Sequence, residues 1–310
     1  MSKRFCAIGG VLILCVLVAA AAAAQQPRIT NGQVVPQAAG TLARTFRAVV
    51  TAQADIAWVG YAVPVRERNR TTCCWSSADG TTHFSGTMNS GDMPCCGACG
   101  LEPPVAGPRA MAPIGAPLQG PVKLEGSDQL VVLFRIVDRQ VERVRTYSED
   151  CALDAGGRTV HWLQNVAPAD SVALLSSLID SESERKSRVT NAALAAISQH
   201  AEPSSVATIE RLARAHPAAG ARGEALFWLA QMAGEKVAGI ITGAIDNDPD
   251  TEVKRRAVFA LSQLPKNEGV PLMIDVARKN KNPAVRKQAM FWLGQSKDPR
   301  AIEFFAEILK

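Results

Sequence analysis

The chain has 310 residues, of which 47% are apolar and 20% charged, and its formal net charge is +5. That length allows two modest domains, and that balance excludes a chain that is mainly disordered.

The first segment reads as an export signal. Lys3 and Arg4 precede an apolar run from Ala7 to Ala24, which ends in small residues before Gln25-Gln26-Pro27. This is the layout of a secretory signal, with cleavage expected after Ala24. The other reading is a retained anchor, because the run is near the lower limit for spanning a bilayer. Leu14 before Cys15 is too bulky for a lipobox. No other run could cross a membrane, so stable insertion is not expected after cleavage. The expected location is the periplasm or the exterior.

Residues 25–40 read as a flexible lead, and residues 41–153 as a small Cys-rich β domain. Thr45 to Val50 and Ile56 to Val65 have the Val, Ile, Trp and Tyr content of strands. Residues 103–121, rich in Pro, Gly and Ala, form a loop. Gln129 to Val137 and Val141 to Tyr147, around Asp138-Arg139-Gln140, read as a hairpin.

Export decides how the cysteines read. Cys6 and Cys15 leave with the signal, so the mature chain keeps Cys73, Cys74, Cys95, Cys96, Cys99 and Cys151. An even set in an oxidising compartment points to disulfides, with Cys151 reaching back to the cluster. Two alternatives use Cys96-Gly97-Ala98-Cys99-Gly100. One is a zinc knuckle completed by Cys73 and Cys74 or by His83. The other is a thioredoxin-like redox pair, whose CxxC must open a helix. Pro103 and Pro104 follow at once and stop such a helix. The expectation is therefore disulfides, with no metal and no cofactor.

Residues 154–310 are helical in pattern. Helices are expected near 168–180, 186–199, 203–215, 221–233, 235–247, 251–264, 267–279, 283–295 and 298–309. Asp250, Asn282 before Pro283, and Asp298 before Pro299 are N-cap signals. Phe227, Phe259 and Phe291 lie 32 residues apart, and four segments starting at Ala193, Ala225, Ala257 and Ala289 align without a gap. One column reads Val189, Ala221, Val253, Val285, and the next Thr190, Arg222, Lys254, Arg286. Val253, Ala257, Leu261 and Leu264 make a single apolar stripe, with the small Ala admitting a close partner helix. A period of this size marks a solenoid whose core exists only between neighbouring modules.

Asp248-Pro249-Asp250-Thr251-Glu252-Val253-Lys254-Arg255-Arg256-Ala257-Val258-Phe259-Ala260-Leu261 resembles the second helix of HEAT and HEAT-like repeats, and Asn282 to Ala289 repeats the pattern. The layout also resembles secreted bacterial HEAT-repeat proteins with a Cys-rich leader domain. Thr190 and Ala221 depart from the pattern, in place of a basic residue and a Val. The implied fold is mainly α: a HEAT-like α-solenoid of about four to five helical pairs behind a small β-rich, disulfide-stapled domain. Some HEAT-like repeats belong to phycobilin lyases, but repeats alone carry no lyase chemistry.

The Phe column has two readings, packing between successive repeats or an exposed ladder for a partner. Cations outnumber acids in the last repeats, with Lys254, Arg286 and Lys287 among them. That tilt suits an acidic protein surface, and a solvated helix face explains it as well. Export argues against nucleic acid. G-x-S-x-G, H-E-x-x-H and P-loop motifs are missing, and His83, His161, His200 and His216 are scattered, which reads as structural or surface. The sequence thus points to a non-catalytic scaffold binding a protein partner along its helical surface through Phe227, Phe259, Phe291, Lys254, Arg286 and Lys287. The competing reading is redox or zinc-dependent activity centred on Cys96 and Cys99.

Overall fold

The computed structural model describes residues 27–67, 70–71, 74–76, 82–84, 88–89, 99–102, 128–149, 151–179, 184–232 and 235–309. The signal segment, the loop at 103–121, and Cys73, Cys95 and Cys96 lie outside them. For Cys74 and Cys99 the backbone is described.

The strands are β1 (Ile29–Thr30), β2 (Gln33–Ala38), β3 (Ala57–Pro64), β4 (Arg70–Thr71), β5 (Cys74–Ser76), β6 (Thr82–Phe84), β7 (Met88–Asn89), β8 (Cys99–Gly100), β9 (Gln129–Val137), β10 (Gln140–Ser148), β11 (Leu153–Asp154) and β12 (Thr159–Gln164). The main sheet runs β10-β9-β3-β12-β2. Its β10, β9 and β3 are antiparallel neighbours, whereas β12 lies parallel to both β3 and β2.

Both faces of this sheet are covered, and the residues alternate accordingly. Val59, Tyr61 and Val63 of β3, with Val132 and Phe134 of β9, face the helices. Trp58, Ala62, Val131, Leu133, Val160 and Trp162 face a second core that also holds Leu101, Tyr147, Cys151 and Leu153. Gly60 belongs to this second face, where a Cβ would stand 2.4 Å from Leu133 Cδ2. The ribbon β1-β11-β8 covers the second core. Glu102 ties it down, accepting from Trp58 Nε1 at 2.8 Å and from Arg135 Nε and Nη2 at 2.9 and 2.6 Å.

Three expectations are corrected. The flexible lead expected at 25–40 carries a strand, because β2 pairs with β12 from Gln33 to Ala38. Pro36 is tolerated there since β2 is an edge strand. Thr45 to Val50 lies in helix α1 (Leu42–Ala52), where Leu42, Phe46, Val49 and Val50 are buried on one face. The β region also continues past 153, since β12 sits between β3 and β2. Cys99 pairs in register with Leu153, which brings the backbone after the cysteine cluster beside the segment that carries buried Cys151.

The helical half follows the sequence closely. Its elements are α2 (Pro168–Ser177), α3 (Glu184–Gln199), α4 (Ser204–Ala215), α5 (Ala219–Gln231), α6 (Glu235–Asn247), α7 (Thr251–Gln263), α8 (Lys266–Lys279), α9 (Pro283–Ser296) and α10 (Pro299–Ile308). Pairs α2/α3, α4/α5, α6/α7 and α8/α9 stack, and α3, α5, α7 and α9 lie side by side. The expected stripe is buried, with Val253, Ala257, Leu261 and Leu264 at 5% exposure or less. Asp250 caps α7 through the N–H groups of Glu252 and Val253, Asn282 caps α9 through Ala284, and Asp298 caps α10 through Arg300.

Candidate interaction face

The adjacent second helices α3, α5, α7 and α9 build one continuous surface. On each helix, residues four apart share a stripe. The stripes read Asn191-Ala195-Gln199, Gly223-Phe227-Gln231, Arg255-Phe259-Gln263 and Lys287-Phe291-Gln295.

The phenylalanines pack between repeats, and of the three only Phe291 is exposed. Phe227 and Phe259 stack with centroids 5.6 Å apart and rings within 1° of parallel, so they do pack between repeats. Phe259 meets Trp292 at 4.8 Å, Trp292 meets Phe291 at 5.0 Å, and Trp228 meets Phe227 at 5.1 Å. Trp228, Phe227, Phe259, Trp292 and Phe291 therefore form one unbroken aromatic run. Its last ring is open to solvent, with Phe291 54% exposed.

The basic column has a different role. Arg222 Nη1 donates to the carbonyls of His216 and Pro217 at 2.9 and 3.0 Å. Lys254 Nζ donates to the Asp246 carbonyl at 2.8 Å, and Arg286 Nη1 to those of Asn280 and Lys281 at 2.8 and 3.2 Å. Each cation thus clamps carbonyls at the C-terminal end of the helix before it, where the helix dipole favours positive charge. Arg222 also forks onto Asp248 of the following module at 2.8 and 2.9 Å. Burial pushes the Asp248 carboxyl upward, but this fork and the Asp250 N–H outweigh it and hold the group below its ordinary range. Of the three cations singled out from the sequence, only the side chain of Lys287 stands exposed on the face.

Arg255, Gln263 and Gln295 were missed as face residues, although the 32-residue period that selected the phenylalanines also relates Gln199, Gln231, Gln263 and Gln295. Arg256 crosses Gly223 to pair with Glu224 of the previous module. Trp228 Nε1 donates to Asn191 Oδ1 at 2.9 Å. Two modules on, Arg255 occupies the position of Asn191 and offers no acceptor, and Trp292 Nε1 is buried without a hydrogen-bond partner among the described residues.

A second polar constellation is sealed from solvent. Ser171 Oγ lies 2.8 Å from Tyr61 Oη and 2.7 Å from His200 Nε2, and His200 Nδ1 lies 2.7 Å from the Ala196 carbonyl. A carbonyl only accepts, so Nδ1 carries the proton of the neutral ring and Nε2 accepts from Ser171. All three residues are 0% exposed, and the trio joins β3, α2 and the end of α3. A Ser-His pair without access for substrate serves docking of the sheet onto the first module. Among the described residues, no group of three or more His, Cys, Asp or Glu is placed to hold a metal ion. No described helix is long and apolar enough to cross a membrane.

A family model described as HEAT repeats matches residues 238–310. A comparison with curated proteins gives no match. Among solved structures, the complex of CpcE and CpcF of phycocyanin lyase from Nostoc sp. PCC7120 is similar at 16% identity and a TM-score of 0.36, covering 46% of this chain and 89% of that one. The Escherichia coli protein YibA is similar at 20% identity and a TM-score of 0.33, covering 46% of this chain and 54% of that one. The helical half of this chain is an array of stacked helical pairs with a 32-residue period, and its C-terminal part, residues 238–310, is similar to HEAT repeats.

Proposed function

We propose that the chain is a binding scaffold that grips a protein partner along the face of α3, α5, α7 and α9. The observation that carries this reading is the aromatic run that surfaces at Phe291, 54% exposed on a rigid helix. Exposed aromatics held rigid by stacking present apolar area at low entropic cost, and such residues dominate protein interfaces. The mechanism is multi-residue contact without bond making. The secretory pattern of residues 1–24 supports a location in the periplasm or outside the cell, which favours an envelope or extracellular protein over nucleic acid. N-terminal sequencing of the mature protein should then begin at Gln25.

The test is a photo-reactive benzoylphenylalanine placed at Phe291 or, as a control, at exposed Asp275 on the first helix α8. In cells that make the protein, Phe291 should crosslink a discrete partner and Asp275 should not. Equal labelling from both positions, or none from Phe291, refutes the proposed face.

A further inference from the structure

Resting on that reading, the chemistry of the face at α7 and α9 specifies what it takes. We infer that this end binds an extended, acidic segment of the partner protein that carries large apolar side chains. Three observations converge on this segment. The apolar one is the platform of Phe259, Trp292 and exposed Phe291, whose rings contact one another in sequence. The charged one is the row one helical turn away, Arg255 and Lys287, both exposed; Arg255 pairs with Glu252 and donates to Gln288 Oε1, and Lys287 has no ion pair among the described residues. The third is the orphaned Trp292 N–H, which needs an acceptor at the place where Arg255 has replaced Asn191 of the earlier module. A carboxylate seated beside Arg255 brings an acceptor to this corner and gains a cation at the same time.

The row on the other side of the rings is Gln263 and Gln295, both exposed, whose amides carry donors and acceptors suited to a peptide main chain. Neighbouring helices pack about 8–10 Å apart, which is about one three-residue turn of extended polyproline-II chain, where every third side chain returns to the same face. Two apolar side chains three residues apart therefore reach Phe259 and Phe291, with acids between them, and a six-residue peptide holds two such units. A second copy of this chain is a different occupant, and the same measurements separate it.

The probe is the blocked peptide Phe-Glu-Glu-Phe-Glu-Glu, titrated into the full mature protein by calorimetry and by tryptophan fluorescence. Binding should be at least tenfold tighter than for Phe-Lys-Lys-Phe-Lys-Lys or Ser-Glu-Glu-Ser-Glu-Glu, and should weaken as salt rises. Phe291→Ala should weaken it severalfold, and the double variant Arg255→Glu, Lys287→Glu should reverse the preference toward the lysine peptide. Circular dichroism confirms that these surface variants remain folded. Equal binding of acidic and basic peptides, or no effect of the reversal, overturns the inference. So does a dimer in sedimentation that Phe291→Ala dissociates, since the face would then be occupied by a second copy. If the peptides fail while Phe291 still crosslinks a partner, the face stands and only its acidic specificity falls; if the crosslink fails too, both fall.

Discussion

At His200 a single proton bears on stability. Burial lowers its pKa from an ordinary 6.5 to about 4, while the Ala196 carbonyl and the Glu202 charge pull the other way. The groups facing the ring are Ser171, beyond it Tyr61, and the Ala196 carbonyl, with Glu202 the nearby charge. Between pH 6.5 and 4 the unfolded chain binds this proton and the folded chain does not, so stability rises with pH across that window. The neutral ring's contribution is complete above pH 6.5 and is lost as pH falls toward 4, a difference of about 3 kcal/mol at most. Burial lowers His161 as well and adds to the same trend. Urea unfolding of the wild type should thus weaken steadily from pH 7 to pH 4.5, and His200→Gln should show a shallower slope. Parallel slopes for the two proteins would place the titration elsewhere.

At the scale of the helix, the closeness of packing decides the sign of a substitution that propensity alone gets wrong. Gly→Ala inside a helix normally stabilises by up to about 1 kcal/mol. Gly294 of α9 has open space around a new Cβ, and Gly294→Ala should follow that rule. Gly269 of α8 is buried where α8 turns back past the end of α7, and a Cβ there would stand 2.3 Å from the Leu261 carbonyl oxygen. Backbone cannot step aside as a flexible side chain can, so Gly269→Ala should destabilise by about 1–3 kcal/mol. Opposite shifts in the urea midpoint are expected for the two variants, and shifts of the same sign would mean that α8 and α7 are less closely packed.

The same contrast between local and distant information explains what the sequence disclosed. All nine helices among the described residues after Ala167 were legible, because caps such as Asp250 and Asn282 and the 32-residue period are local signals repeated several times. The helix at 42–52 was misread because Thr45 to Val50 taken alone is rich in β-branched residues. The wider spacing of Leu42, Phe46, Val49 and Val50 is helical, and it needed a longer window. Strand β12 was missed because its partners, β2 and β3, lie about a hundred residues earlier and parallel pairing leaves no hairpin turn to read. On the interaction face, the phenylalanines were found by period. Whether Lys254 and Arg286 faced a partner or a helix end depended on side-chain direction, which periodicity does not encode.

Across the whole molecule, one apolar core runs from Val59, Tyr61 and Phe134 of the sheet through every helical pair to Phe304 of α10. A solenoid module shares its core only with its neighbours, so the first module must be covered by something other than a repeat. Here the sheet provides that cover. The α3 helix packs along β10, α2 meets β3, Val65 bridges to His200, and Arg66 N–H donates to the Gln199 carbonyl at 2.8 Å. A fragment comprising residues 166–310 therefore strips β10 from α3 and β3 from α2 and leaves Ser171 and His200 without Tyr61. Nearest-neighbour coupling makes the damage graded rather than global. Hydrogen exchange should find amides of α2 and α3 protected in the full chain and fast in the fragment, with α7 to α9 slow in both. Equal protection of α2 and α3 in the two proteins would show that the helical array stands without the sheet, and the sheet would then need another role.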